Sequence, residues 1–183
     1  MKINKCFNCD LCSTRKRIVN GFGNINSSIM FIGEAPGYHE DKNGIPFCGA
    51  AGKELQKYLD LCNFNRKEIY ITNAIKCRPP SNRLPNIYEM FTCRKHLYNE
   101  FITIKPKIVI FLGNVAISTF FNPNYSFSSI RNKPFRLGNT LFMMIYHPSY
   151  MIYNKNKENE YINTFKLIGK IYQYYNEEHT LNY

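Results

Sequence analysis

The chain reads as an α/β protein: a three-layer α/β/α sandwich around a central four-stranded, mostly parallel sheet. Three observations predict it. Short apolar runs alternate with stretches whose apolar residues recur at helical spacing. Nearly every run stops at a glycine, proline or asparagine, where a turn is cheapest. The 183 residues, 44% of them hydrophobic, suffice for one core and one domain spanning residues 1–183.

Ser28 to Ile32 is a short apolar run ending at Gly33, which suits a buried strand feeding a tight turn. Beyond Gly49 the period changes, and Leu55, Tyr58, Leu59 and Cys62 mark one helix face. Glu68 to Thr72 is a second strand, followed by the helix breakers Pro79 and Pro80. Ile87 to Ile102 reads as a helix capped by Asn86. Lys107 to Leu112 is a continuous apolar run, as expected for a strand covered on both faces. Asn114 to Phe121 is a short helix, Leu141 to Tyr146 a fourth strand stopped by His147 and Pro148. A last helix carries Tyr161, Phe165, Ile168, Tyr172 and Tyr175 on one stripe. Open sheets of this kind bind ligands beyond the carboxyl ends of their strands. Those ends are followed here by Gly33–Gly37, Asn73–Cys77 and His147–Tyr150.

Lys and Arg number 24 against 13 Asp and Glu, a net charge of +11. An excess this large favours a polyanionic partner, because each neutralised phosphate releases condensed counterions. Nucleic acid is therefore the expected partner. No apolar run approaches the roughly 20 residues that span a bilayer, so no membrane is involved. The residues after Met1 lack a secretory pattern, and a reducing, cytoplasmic location is expected.

Seven cysteines in such a compartment point to metal or to chemistry rather than to disulfides. Cys6-x-x-Cys9 is a chelating pair, and Cys77 and Cys93 would complete a four-thiolate set for zinc or an iron-sulfur cluster. Cys12 makes a fifth candidate, and spacing alone does not choose the metal. Cys48 and Cys62 read as ordinary small apolar residues. A shared centre would clasp the N-terminal segment against the middle of the chain.

Gly33-Glu34-Ala35-Pro36-Gly37 lacks the patterns of nucleotide-binding loops. Its order with Gly44-Ile45-Pro46-Phe47-Cys48-Gly49, then Tyr70 to Pro80, then His147-Pro148-Ser149-Tyr150, resembles the family 4 uracil-DNA glycosylases. The resemblance runs from Cys6 to about Met151 and implies a 4Fe-4S cluster on Cys6, Cys9, Cys77 and Cys93. It also implies uracil-containing DNA as substrate, base flipping, release of free uracil in base excision repair, and action as a monomer.

Roles follow from the matched positions. Asn73 would hold the polar edge of uracil, offering a donor and an acceptor. Phe47 would stack on the flipped base, and the backbone at Glu34 and Ala35 would meet its carbonyls. Glu40 would crowd the pyrimidine C5 and so disfavour thymine. His147 would bond the uracil O2, where charge develops as the base leaves. Ala35 stands where family 1 enzymes carry an aspartate, so Glu34, Glu40 and Asp41 are alternatives for activating water. Tyr150 or Met151 would be a wedge in the minor groove, with Arg78, Arg83, Lys76 and Lys133 on phosphates. Ala50 replaces a basic residue common in the family, and Cys48 an aliphatic one. Pro80 to Pro85 carries no histidine-bearing insertion, so turnover is expected rather than covalent trapping. A catalytically silent binding module of the same fold is the alternative, and it would not need Phe47, Asn73 and His147 together.

Overall fold

The computed structural model of the chain describes residues 2–124 and 126–180, with side chains as far as 176. Two short segments come first, the helical turn α1 (Leu11–Thr14) and the strand β1 (Phe22–Gly23). Then follow β2 (Ile29–Gly33), α2 (Tyr38–Asn43), α3 (Ala50–Leu61), β3 (Tyr70–Asn73), α4 (Ile87–Ile104), β4 (Ile108–Leu112) and α5 (Asn114–Phe120). The hairpin β5 (Phe135–Leu137) and β6 (Thr140–Ile145) leads into α6 (Pro148–Tyr153) and α7 (Glu158–Thr180).

The sheet has six strands in the order β1-β3-β2-β4-β6-β5, which corrects the expected four. The four legible strands are the parallel ones: β2 lies between β3 and β4, and β4 pairs with β6. Two antiparallel edge strands were not anticipated. β1 is two residues long amid glycines and asparagines, and β5 is largely exposed, so neither carries a buried apolar run.

Successive residues of a strand point to opposite faces, and both faces are covered. Phe31, Ile71, Ile110 and Met143 meet Leu55, Tyr58, Tyr161 and Phe165 from α3 and α7 on one side. Met30, Ile32, Val109, Phe111 and Met144 meet Leu97, Ala116 and Phe120 from α4 and α5 on the other. That double burial explains why β2 and β4 read as unbroken apolar runs. A third, small cluster of Leu11, Ile75, Cys77, Met90 and Cys93 seats the N-terminal segment. Among the described residues, no helix is long and apolar enough to cross a membrane.

Helix α4 starts where expected. The Asn86 side chain accepts from Glu89 N–H and the Glu89 carboxylate accepts from Asn86 N–H, a reciprocal cap. Parallel pairing puts the ends of β2 and β3 side by side, with Gly33 opposite Asn73. The turns after these strands meet along one edge of the sheet.

Candidate active site

A pocket of about 330 Å³ opens at that edge, lined by Ala35, Glu40, Phe47, Asn73 and His147 among others. Asn73 ends β3 and is buried. Its backbone is pinned by the Lys76 ammonium, which donates to the Asn73 carbonyl at 2.7 Å, and by Ala74 N–H on the Gly33 carbonyl. The amide itself bonds no other described residue and is free to read a ligand. Gly33 makes room for it. A Cβ there would lie 2.4 Å from Asn73 Oδ1 and 2.3 Å from Phe47 Cζ.

Phe47 sits in the left-handed region, at φ 54°, which costs on the order of 1 kcal/mol for a residue with a Cβ. Arg66 holds it there: its guanidinium donates to the Phe47 carbonyl at 3.1 Å from both Nη atoms, and to the Pro46 carbonyl. Gly52 lets this loop close, since a Cβ on Gly52 would meet the Phe47 carbonyl oxygen at 1.8 Å. The Phe47 ring thus faces His147, with centroids 6.0 Å apart. Arg66 carried no local sequence signal.

His147 caps α6. Its Nδ1 accepts from Ser149 N–H at 3.2 Å and lies 2.8 Å from Ser149 Oγ. A nitrogen that accepts carries no proton, so the ring hydrogen is on Nε2. Burial lowers the imidazole from its ordinary value to about 4, and the ring is neutral at pH 7. The site therefore offers an uncharged N–H donor.

The three candidate carboxyls differ. Asp41 is buried and accepts from Lys16 N–H and Arg17 N–H, a structural use away from the pocket. Glu40 lines the pocket with its carboxylate held by Gly37 N–H at 3.1 Å and Gly49 N–H at 2.7 Å. Glu34 does not line the pocket. Burial alone pushes its carboxyl up, making it the stronger base once ionised.

Cys6, Cys9, Cys77 and Cys93 surround an apolar hollow, and Cys12 lies outside it. Among the described residues, no three His, Cys, Asp or Glu side chains converge to hold one metal ion. Iron-sulfur clusters ask for thiolates around a volume rather than a point. The donors nearby fit negative sulfur: Arg15 Nη1 to Cys77 at 3.3 Å, Lys76 N–H to Cys93 at 3.3 Å, and Asn8 Nδ2 to Cys6 at 3.3 Å. His96 Nε2 lies 3.4 Å from the Cys6 sulfur. Burial pushes the Cys9 and Cys77 thiols up and the Cys93 thiol up to about 12. Without a metal to displace the proton these thiols stay neutral. The chemistry of this donor set fits a cluster.

Of the expected DNA contacts, two are corrected. Met151 is fully buried in the core beside α3 and α7, so it is no wedge. Lys76 is 1% exposed and paired with Glu100 at 2.6 Å, out of reach of any phosphate. Tyr150 is exposed beside the pocket loop, and Lys133 is exposed. Arg83 is paired with Glu89 at 2.6 Å, and Arg78 donates to Asn82 Oδ1. Tyr38, unremarked in the sequence, is an exposed ring on the pocket rim, with Lys16 and Arg78 at 5.6 and 5.3 Å from its centroid. A larger cleft, about 740 Å³ along β1, contains none of the pocket residues.

Comparison with known proteins gives a consistent result. The family model described as the Uracil DNA glycosylase superfamily matches residues 20–173. The chain is 38% identical over 178 residues to a Type-4 uracil-DNA glycosylase of Archaeoglobus fulgidus, covering 93% of this chain and 89% of that one. It is 37% identical over 159 residues to the Type-4 uracil-DNA glycosylase of Thermotoga maritima, 86% and 83% of the two chains. The Saccharolobus solfataricus Type-4 enzyme is 38% identical over 162 residues, 84% and 75% of the two chains.

Proposed function

The chain belongs to the uracil DNA glycosylase superfamily, and on that premise we propose that it hydrolyses the N-glycosidic bond of deoxyuridine in DNA, releasing free uracil and leaving an abasic site. The observation that carries this reading is the convergence of Phe47, Asn73 and His147 on one pocket at the strand ends. A module that only bound DNA would have no use for that convergence.

The uracil is extruded from the stack, at a cost of a few kcal/mol, and its ring lies on Phe47. The free Asn73 amide offers its donor and acceptor to the polar edge of the base, and the backbone at Glu34 and Ala35 meets its carbonyls. Glu40, held by two N–H groups, walls the C5 side and leaves no room for a methyl. Bond cleavage leaves cationic character on the sugar and negative charge on the base, as in glycoside hydrolysis. His147 donates its Nε2 hydrogen to O2, where that charge gathers. A neutral donor suits the task, since it stabilises the anion without handing over a proton. Loss of one such donor costs ~10²- to 10³-fold in rate. Water then adds at C1′, and Glu34, next to the pocket residue Ala35 and with no hydrogen-bond partner for its carboxyl among the described residues, is the proposed base.

Tyr150, exposed beside the pocket, contacts the strand next to the displaced base, while Arg78, Arg83 and Lys133 meet phosphates. The four thiols would hold a 4Fe-4S cluster, which when bound ties Cys6 and Cys9 to Cys77 and Cys93 and clasps the N-terminal segment. On the same reading the protein acts as a monomer and a single domain, in a reducing cytoplasm, where thiols such as these stay unoxidised.

The test is an oligonucleotide carrying one deoxyuridine, incubated with iron-loaded protein and then treated with alkali. Cleavage at the uracil position, with free uracil detected by mass, is expected; the matching thymine strand stays whole. An uncut uracil strand would defeat the reading.

A further inference from the structure

The His147 loop has two sides. One faces the uracil pocket. The other faces a separate cleft of about 400 Å³, and His147 and Ser149 belong to the walls of both. Three tyrosines and an arginine line the second cleft. The Tyr146 and Tyr150 rings are stacked, with centroids 4.4 Å apart and planes at 5°. The Arg131 guanidinium lies 4.0 Å from the Tyr146 centroid and donates to its hydroxyl at 2.6 Å. Tyr161 bonds the Tyr146 carbonyl at 3.0 Å, so the column Arg131–Tyr146–Tyr150 is anchored from behind. Three residues further along α6, on the face that carries Tyr150, Tyr153 is 84% exposed.

A single exposed tyrosine needs no explanation. A fixed aromatic column beside a free aromatic ring, in a cleft with no acidic side chain, does. Flat rings and guanidinium planes bind nucleobases by stacking, without regard to sequence, because every base has a π-face. The absence of acidic groups leaves room for the phosphates on either side. The two hollows share His147 and Ser149 as a wall, so a base in the second belongs to the strand close to the uracil.

We propose that this cleft seats the nucleobase next to the uracil on the same strand, held between Tyr153 and the Tyr150 column. This rests on the glycosylase reading and adds a second binding site to it. The enzyme then engages two consecutive unstacked bases, which favours single-stranded or frayed DNA over an intact duplex.

The experiment measures binding by fluorescence anisotropy, using single-stranded oligonucleotides with one 2′-deoxypseudouridine, whose carbon-linked base cannot be hydrolysed. Each is made with normal neighbours, or with a tetrahydrofuran abasic unit on the 5′ or the 3′ side. The exposed position of Tyr153 leaves the fold of Tyr153→Ala intact. With normal neighbours the variant binds about tenfold more weakly, the size of one base-aromatic stack. Wild type loses the same factor when one particular neighbour is abasic, and on that oligonucleotide the substitution has no further effect. Independent, multiplying losses, or no loss from Tyr153→Ala, overturn the seat. Uracil release from ordinary deoxyuridine strands is measured alongside. Release without this coupling sinks the seat alone; coupling without release sinks the glycosylase reading alone.

Discussion

The Lys76 ammonium and the Glu100 carboxylate lie 2.6 Å apart with both side chains almost wholly buried. The ammonium also donates to Thr72 Oγ1 and to the Asn73 carbonyl, each at 2.7 Å. Glu100 accepts from Thr72 Oγ1 at 2.9 Å. One ion pair between the turn after β3 and α4 thus underpins Asn73, the residue proposed to read the base, and the residue after Lys76 is Cys77.

Glu100→Ala leaves a buried ammonium without its partner and is expected to destabilise the fold by about 3–5 kcal/mol in urea unfolding. The double substitution Lys76→Met with Glu100→Leu recovers most of that stability, since an apolar pair has no charge to desolvate. Uracil release stays about 10²-fold down in the double variant, because the Asn73 carbonyl has lost its anchor. Recovery of stability and rate together would show that the pair only fills the core.

Gly33→Ala puts a methyl where Phe47 Cζ and Asn73 Oδ1 already are. One of them must move by about an ångström, and a displacement of that size costs roughly 10²-fold in rate. The expected signature is a folded protein with a near-normal melting temperature and little uracil release.

The depressed His147 pKa makes a pH prediction. The unfolded chain takes up a proton on this ring near pH 6.5, whereas the folded chain resists it down to about pH 4. Stability is therefore full above about pH 6.5 and falls as the pH drops through that window. His147→Asn keeps a capping side chain on α6 and removes the titration. Its urea midpoint should fall less between pH 6.5 and 4 than that of wild type, while its uracil release at pH 7 drops ~10²-fold.

Removing iron by oxidation and chelation is expected to bleach a yellow-brown protein. It should also free residues 2–14 to proteolysis, because the small cluster of Leu11, Ile75 and the cysteine thiols is too small to hold them alone, while Lys16 and Arg17 stay tied to Asp41. The cysteine hollow and the pocket share no lining residue, so uracil release declines only as the fold loosens. Cys93→Ser should reproduce both effects. An untouched N-terminal segment in the stripped protein would contradict the clasp.

The parallel strands were legible because both of their faces are buried, which writes unbroken apolar runs such as Ile108 to Leu112. The edge strands wrote no such pattern. Helix α4 was legible from Asn86 and the stripe behind it, whereas α2 and α6, six residues each, are too short to show a period. Missing α6 led to the error at Met151. On a helix, neighbours point about 100° apart, so Tyr150 faces out while Met151 faces the core. Lys76 misled for another reason: in sequence it sits in a basic stretch, and its partner comes from 24 residues away. Phe47, Asn73 and His147, which the fold brings to one pocket, were singled out by the order of their motifs. Tyr38, Arg66 and Tyr153 lie outside those motifs, and only the fold brings them to the site or beside it.

The most direct test is a crystal of the protein soaked with uracil. The account predicts the base in the 330 Å³ pocket, its face on Phe47, the Asn73 amide at its N3–O4 edge and His147 Nε2 at O2. Uracil bound elsewhere, or in that pocket with Asn73 and His147 out of hydrogen-bond reach, would contradict it.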